Sequence, residues 1–329
     1  MKQGALVSLL ALLVLAGFAG SLALGPVAID FGAAINAVFG TGPEALRLIL
    51  LEIRLPRAIL ALAIGAALGI SGAALQGYLR NPLAEPGVVG VSAAGALGAV
   101  IVFYFGLARL FPLALPLGGL AGAAVGVWLV YALAGRGGST ATLILAGVAV
   151  NALAGALTAL ALSLAPSPYA TLEIIQWMLG ALTDRSMTHV WLALPFIAAG
   201  VLILATLARG LDALTLGEDA AASLGVGLAG LRLRLVLGTA LAVGAATAVA
   251  GVIGFVGLVV PHLLRSRVGY RPGALLLASA LGGGALTLCA DLAARLILTD
   301  REINLGVLTA LIGAPFFLAL VLQSRRSEP

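Results

Sequence analysis

The sequence predicts an all-α integral membrane protein of about ten transmembrane helices, with both termini cytoplasmic. Three observations carry this prediction. Of 329 residues, 62% are hydrophobic and only 9% are charged, whereas soluble domains carry about a quarter charged residues. The charges are widely spaced, leaving uncharged stretches at 3–29, 58–79, 86–108, 110–135, 137–172, 186–208, 235–264, 272–290 and 303–324. Each is long enough for a helix of roughly 20 residues to cross the hydrocarbon. These apolar runs are continuous, which excludes a closed β-barrel built from short alternating segments.

The first 25 residues have a basic start and an apolar stretch. That stretch is too long for a signal peptide and leads into further spans, so it reads as an uncleaved first helix. The second span follows "RLPR" (54–57), where Pro56 suits a first helical turn. It carries Ala61, Gly65, Gly69, Ala73 and Gly77, a small residue at every fourth position, and such a strip lets helix backbones approach closely. In "GYLRNPLAEPGVVGVSAAGALGA" (77–99), Pro82 and Pro86 interrupt the chain between the second and third spans. The span within 137–172 is stopped by the two prolines of "APSPY". "AVAGVIGFVGLVVPHLLR" is broken by Gly251, Gly254, Gly257 and Pro261, so 235–264 holds one full span and then a short irregular one.

That extra span brings the basic ends, Lys2 and Arg325–Arg326, to the same side. Assigned inside are Lys2, Arg80, Arg136, Arg209, Arg232, Arg234, Arg265, Arg267, Arg271, Arg325 and Arg326. Assigned outside are Arg47, Arg54, Arg57, Arg109, Arg185, Arg295 and Arg301. Eleven against seven agrees with the positive-inside rule. The net charge of +5 therefore describes membrane orientation and does not point to nucleic acid.

Several chemistries are excluded. Lys2 is the only lysine, so the chain has neither a P-loop lysine nor an internal Schiff-base lysine. The two histidines, His189 and His262, have no metal-ligand spacing; His262, after Pro261, reads as a packing or capping residue. Cys289 is the only cysteine and forms no intrachain disulfide. No nucleophile, base and orienting acid assemble, so the chain reads as a non-enzyme. An ion-coupled secondary transporter is the alternative, but it needs ionisable groups in mid-membrane. The nearest candidates, Asp291 and Arg295, lie four apart near a helix end and suit pairing with each other. Transport powered by ATP hydrolysis in a separate partner is the simpler reading.

Three stretches carry chemistry. "LDALTLGEDAAASLGVGLAGLRLR" (211–234) is a short polar cytoplasmic segment between spans six and seven. Thr215 and Glu218 have capping-box spacing, Gly225 suits a left-handed stop, and Ala220 to Ser223 are small enough to admit another surface. It is either a self-capped loop helix or a contact surface. Arg54 and Arg57, outside against the trend, either snorkel to lipid phosphates or dock an acidic partner. Asn151 and Thr158, seven apart, share a helical face and either line a path or hydrogen-bond between helices.

Taken together, "RLPR" (54–57), "LRNPLAEPGVVGVS" (79–92), "LILAGVAVNAL" (143–153), "WMLGAL" (177–182), "LTLGEDAAASLGV" (214–226), "GVIGFVGLVVPHLLR" (251–265), "ADLAAR" (290–295) and "GVLTALIGAPFF" (306–317) resemble the transmembrane permeases of type II ABC importers for vitamin B12, ferric siderophores and haem. The resemblance covers nearly the whole chain and implies a single permease domain over 1–329. It implies a homodimer around a central path in the bacterial inner membrane, two cytoplasmic ATPase subunits holding ATP and Mg, and a periplasmic binding protein. This chain itself then binds no cofactor. Leu216, Gly217, Glu218, Ala221, Ser223, Leu224 and Gly225 match the family's ATPase-coupling helix. Arg54, Arg57 and Arg295 match the face on which the binding protein docks, and Ser139 and Thr140, just before the fifth span, match the cytoplasmic gate region. Two departures stand out: Asn304 replaces the family's usual proline and predicts a looser start to the last span, and "GVSAAGA" replaces the commoner serine-glycine version near 92–96.

Overall fold

A computed structural model describes residues 3–25, 32, 36, 43–109, 111, 113–135, 140–165, 167–297 and 302–326. Among these residues the regular structure is entirely helical. The elements are α1 (Gln3–Ala23), α2 (Glu44–Leu48), α3 (Leu55–Leu79), α4 (Val91–Tyr104), α5 (Ala114–Ala134), α6 (Thr140–Ser163), α7 (Pro168–Met178), α8 (Met187–Ala205), α9 (Ala208–Leu214), α10 (Glu218–Ser223), α11 (Leu228–Ala250), α12 (Val256–Leu264), α13 (Pro272–Leu296) and α14 (Leu305–Arg326). Among the described residues seven helices are long and apolar enough to cross a membrane, one of them the continuous rod Glu44–Leu79. Val91–Tyr104 and Leu305–Leu320 are shorter apolar helices, and α12 is shorter still.

The second span begins earlier than its charges suggest. A π-helical turn, Ile49–Arg54, joins α2 to α3, and Pro56 lies in the first turn of α3. Proline has no N–H to give the preceding turn and its ring crowds the carbonyl four residues back. A wide π turn upstream accommodates both effects.

The small-residue strip of α3 does what its spacing predicts. A Cβ on Gly69 would strike the carbonyl of Ser279, and one on Gly65 would strike that of Gly283. The contact is reciprocal, since a Cβ on Gly283 would meet the Gly65 carbonyl. The backbones of α3 and α13 are thus in direct contact, and Ala61 and Ala73 are fully buried along the same strip.

α3 ends on Arg80 in the left-handed conformation (φ 49°), just before Asn81-Pro82. The Asn81 side chain then accepts the Leu83 N–H at 2.9 Å, a local turn that aims the chain towards α4. The predicted break between α11 and α12 is also present. α11 stops at Gly251 (φ 74°), the chain runs without regular structure, and α12 starts after Phe255, itself left-handed at φ 66°.

Gly180 and Gly306 close over this break. The Ala181 N–H donates to the Ala250 carbonyl at 2.8 Å, and the Gly306 N–H donates to the Gly180 carbonyl at 3.0 Å. Asn304 does not leave the last helix loose. Its side-chain amide donates to the Gln176 carbonyl at 3.3 Å, while its own carbonyl accepts the Leu308 N–H at 3.1 Å. A hydrogen bond to the end of α7 supplies the fixing that a proline ring would supply through φ. His262 packs as expected, edge-on to Phe316 with ring centres 5.7 Å apart.

Candidate functional site

A cavity of about 550 Å³ lies between α4, α6 and the α11–α12 break. Ser92, Asn151 and Thr158 line it together with Met178 and Phe255. The structure therefore brings Asn151 and Thr158 to one wall. Asn151, Gly155 and Ala159 are exposed, so the cavity is open along α6. Of the two residues expected at a gate, Ser139 lies outside the described residues, and only the backbone of Thr140, the first residue of α6, is described.

Glu85 is the one ionisable side chain lining this cavity among the described residues. Its Oε1 accepts the Phe255 N–H at 2.6 Å. Burial pushes its carboxyl above the usual carboxylate range, and that N–H bond opposes the rise. The seam continues through Gln76. Its Nε2 donates to the carbonyls of Ala84 (3.3 Å), Gly257 (3.4 Å) and Leu258 (3.4 Å), and Arg265 donates to its Oε1 at 3.1 Å. Sequence reasoning missed Glu85. The available signal was that it is the only acidic residue between Glu52 and Glu173.

The polar segment forms the hairpin of α9 and α10. Its end matches expectation. Gly225 is left-handed (φ 84°), its N–H donates to Ala222, and the Val226 N–H donates back to Ala221, which is a Schellman closure. Its start does not match. The N-cap is Gly217 with no side-chain cap, and the Thr215 hydroxyl donates backwards to the Asp212 carbonyl at 2.7 Å. The predicted capping box fails because α9 runs on to Leu214 and claims Thr215 as its own C-cap. Ala221 also points inward and is fully buried, so it is not the point of close approach.

The surface α10 presents consists instead of Leu216 (69% exposed) and Leu224 (65% exposed), with Glu218 and Ser223 exposed between them. Asp212 fastens this hairpin to the start of α13. Its carboxylate accepts the Gly273 N–H at 2.8 Å and pairs with Arg271 at 3.3 Å.

At the far end of α3 and α13 lies a charged cluster. Arg54, Arg57 and Arg295 are only 4%, 7% and 6% exposed, and Asp291 is completely buried. Arg57 Nε pairs with Asp291 at 3.0 Å, Arg57 Nη1 with Glu302 at 2.9 Å, and Arg295 Nη2 with Asp291 at 2.9 Å. Arg295 also donates to the Ser21 hydroxyl at 2.6 Å. Arg54 donates to the Leu22 and Ala23 carbonyls at 2.7 and 2.9 Å, satisfying the last turn of α1 where a cation is favoured. The predicted pairing of Asp291 with Arg295 is present. The three arginines face inward onto these partners and do not project as a free patch.

A multi-pass helical chain, with a near-neutral cavity beside a broken helix and a short helical hairpin, defines a transmembrane permease. A model of the FecCD transport family matches residues 11–323, and the chain belongs to that family. It is similar to the hemin transport system permease protein HmuU of Yersinia pestis, at 39% identity over 97% of this chain and 96% of that protein. It is 41% identical to the cobalamin import system permease protein BtuC of Halobacterium salinarum, over 85% of this chain and 74% of that one. It is 36% identical to the iron(3+)-hydroxamate import system permease protein FhuG of Bacillus subtilis, over 95% of each chain. A solved inward-facing metal-chelate type ABC transporter chain superposes with a TM-score of 0.86 at 31% identity, covering 97% of this chain and 99% of that one. This chain is the permease subunit of a type II ABC importer.

Proposed function

We propose that the chain imports a bulky metal chelate (haem, a ferric siderophore or a cobalamin) across a bacterial inner membrane. It would do so as one permease domain, 1–329, of ten spans with both termini cytoplasmic. The observation that carries this reading is the end-to-end likeness to a hemin permease, 39% over 97% of this chain. Two copies would form the importer core. The cavity supports that arrangement, because it is open along the exposed Asn151, Gly155 and Ala159 and a second copy placed there would close it. A wall mainly of small and apolar residues, with Ser92, Asn151 and Thr158 as its neutral polar groups, would give a large ligand a route without tight binding.

ATP hydrolysis, with its Mg, would occur in two cytoplasmic ATPase subunits. The coupling surface would be the α9–α10 hairpin, with Leu216, Glu218, Ser223 and Leu224 in contact and Gly217, Ala221 and Gly225 shaping it. Because Asp212 ties this hairpin to α13, movement there would reach the tightly packed α3–α13 pair. Ser139 and Thr140 would act with Asn151 and Thr158 as gate and path.

A periplasmic binding protein would dock over Arg54, Arg57 and Arg295. Glu302 is the accessible carboxylate of that cluster, its side chain 35% exposed. An incoming acidic side chain would take over its place on Arg57.

Mild-detergent purification of the tagged protein from native membranes, with mass spectrometry of what accompanies it, tests the assembly. An ABC ATPase at equal stoichiometry is the expected result. A homodimer without ATPase, under conditions that preserve other ABC complexes, would overturn it.

A further inference from the structure

Two segments distant in sequence meet at the cavity wall: the connector from α3 to α4 and the α11–α12 break. They meet closely, since a Cβ on Gly257, in the first turn of α12 just after the break, would press on the Pro86 ring of the connector. Within that contact the Phe255 N–H points at Glu85 Oε1, 2.6 Å away. The geometry at Phe255 needs support. A left-handed φ of 66° is rare for a bulky non-glycine residue and persists where neighbouring structure enforces it. Phe255 is held from the other side by α14, where only a glycine, Gly313, leaves room for its ring.

We infer that Glu85 is a positioning residue for transport: its carboxylate oxygen latches the connector to Phe255 and so holds the break that forms this wall of the path. Its role is to accept a hydrogen bond, and its negative charge is not a ligand-recognition element. Gln76 runs parallel to it, bridging Ala84 in the connector to Gly257 and Leu258 in α12, so the two segments move as one body while both bonds hold. Glu85 is thereby assigned a function beside the path residues that line the same cavity. The transport half of this inference rests on the importer reading above; the latch itself does not.

The test compares wild type with Glu85→Ala and Glu85→Gln. The glutamine keeps an oxygen that can accept the Phe255 N–H and removes the charge. Hydrogen exchange over residues 251–258 is measured on the purified full chain, without ligand or ATPase. ATP-driven uptake of haemin, cyanocobalamin and a ferric hydroxamate is then measured in proteoliposomes containing the partner subunits. In Glu85→Ala we expect exchange in that segment to speed up by about tenfold or more, and uptake of whichever probe the wild type carries to fall by a similar factor. In Glu85→Gln both should return to within a few-fold of wild type. Unchanged exchange in Glu85→Ala would overturn the latch. Uptake in Glu85→Gln as poor as in Glu85→Ala, with exchange still protected, would show that the charge is what matters and overturn the assignment. No uptake by the wild type of any probe would refute the importer reading and with it the transport role, leaving the exchange measurement to judge the latch.

Discussion

Asp291 sits fully buried between two guanidinium groups, with Arg57 at 3.0 Å and Arg295 at 2.9 Å. Buried ions persist only when paired and hydrogen-bonded, and removing one partner leaves the others uncompensated. Asp291→Ala should therefore destabilise the purified protein by about 3–5 kcal/mol, read as a lowered midpoint of unfolding in detergent. Wild-type stability in that variant would mean that the cluster is not a closed network. The sequence told part of this story, because Asp291 and Arg295 are one helical turn apart. It did not tell that Arg57, 234 positions away, completes the site. Contacts at that separation depend on how α3 and α13 face each other. The glycines at 65, 69 and 283 fix that facing, but one strip alone does not name its partner helix.

At the scale of elements, α10 shows how local rules compete. Thr215 and Glu218 satisfy the capping-box pattern, yet α9 extends far enough to take Thr215 as its own end. The stop at Gly225 was legible because a left-handed closure depends on one residue type. The start was not, because it depended on where the preceding helix ended. Because Ala221 is buried, the proposed contact surface is formed by Leu216 and Leu224, which stand exposed on either side of a short polar helix. Replacing both by aspartate should leave the chain folded while cutting ATPase recovery in co-purification by about tenfold or more, as expected when apolar anchors of an interface are lost. Full recovery of the ATPase would place its seat elsewhere. The break at 251–255 was legible from Gly251 and Gly254, whereas Gly257 and Pro261 lie within α12 and do not interrupt it; the residue that holds the break, Glu85, belongs to a segment 170 positions earlier.

For the whole molecule, spaced charges and long apolar runs sufficed for the membrane class, and eight short stretches in order sufficed for the family. The layout of spans was less direct. The Glu44–Leu79 rod begins well before its uncharged stretch, and α4 and α12 are too short to be recognised by length alone. Helix ends follow backbone hydrogen bonding and packing, which charge spacing reports only loosely. The proposed task of the assembled molecule is to couple ATP hydrolysis to movement of a large ligand. The most direct measurement is uptake of haemin, cyanocobalamin and a ferric hydroxamate by proteoliposomes containing this chain with its ATPase and binding protein, with and without ATP, and with ion gradients collapsed by ionophores. Uptake of at least one probe should require ATP and survive the ionophores. Uptake that proceeds without ATP and stops when the gradients collapse would contradict it.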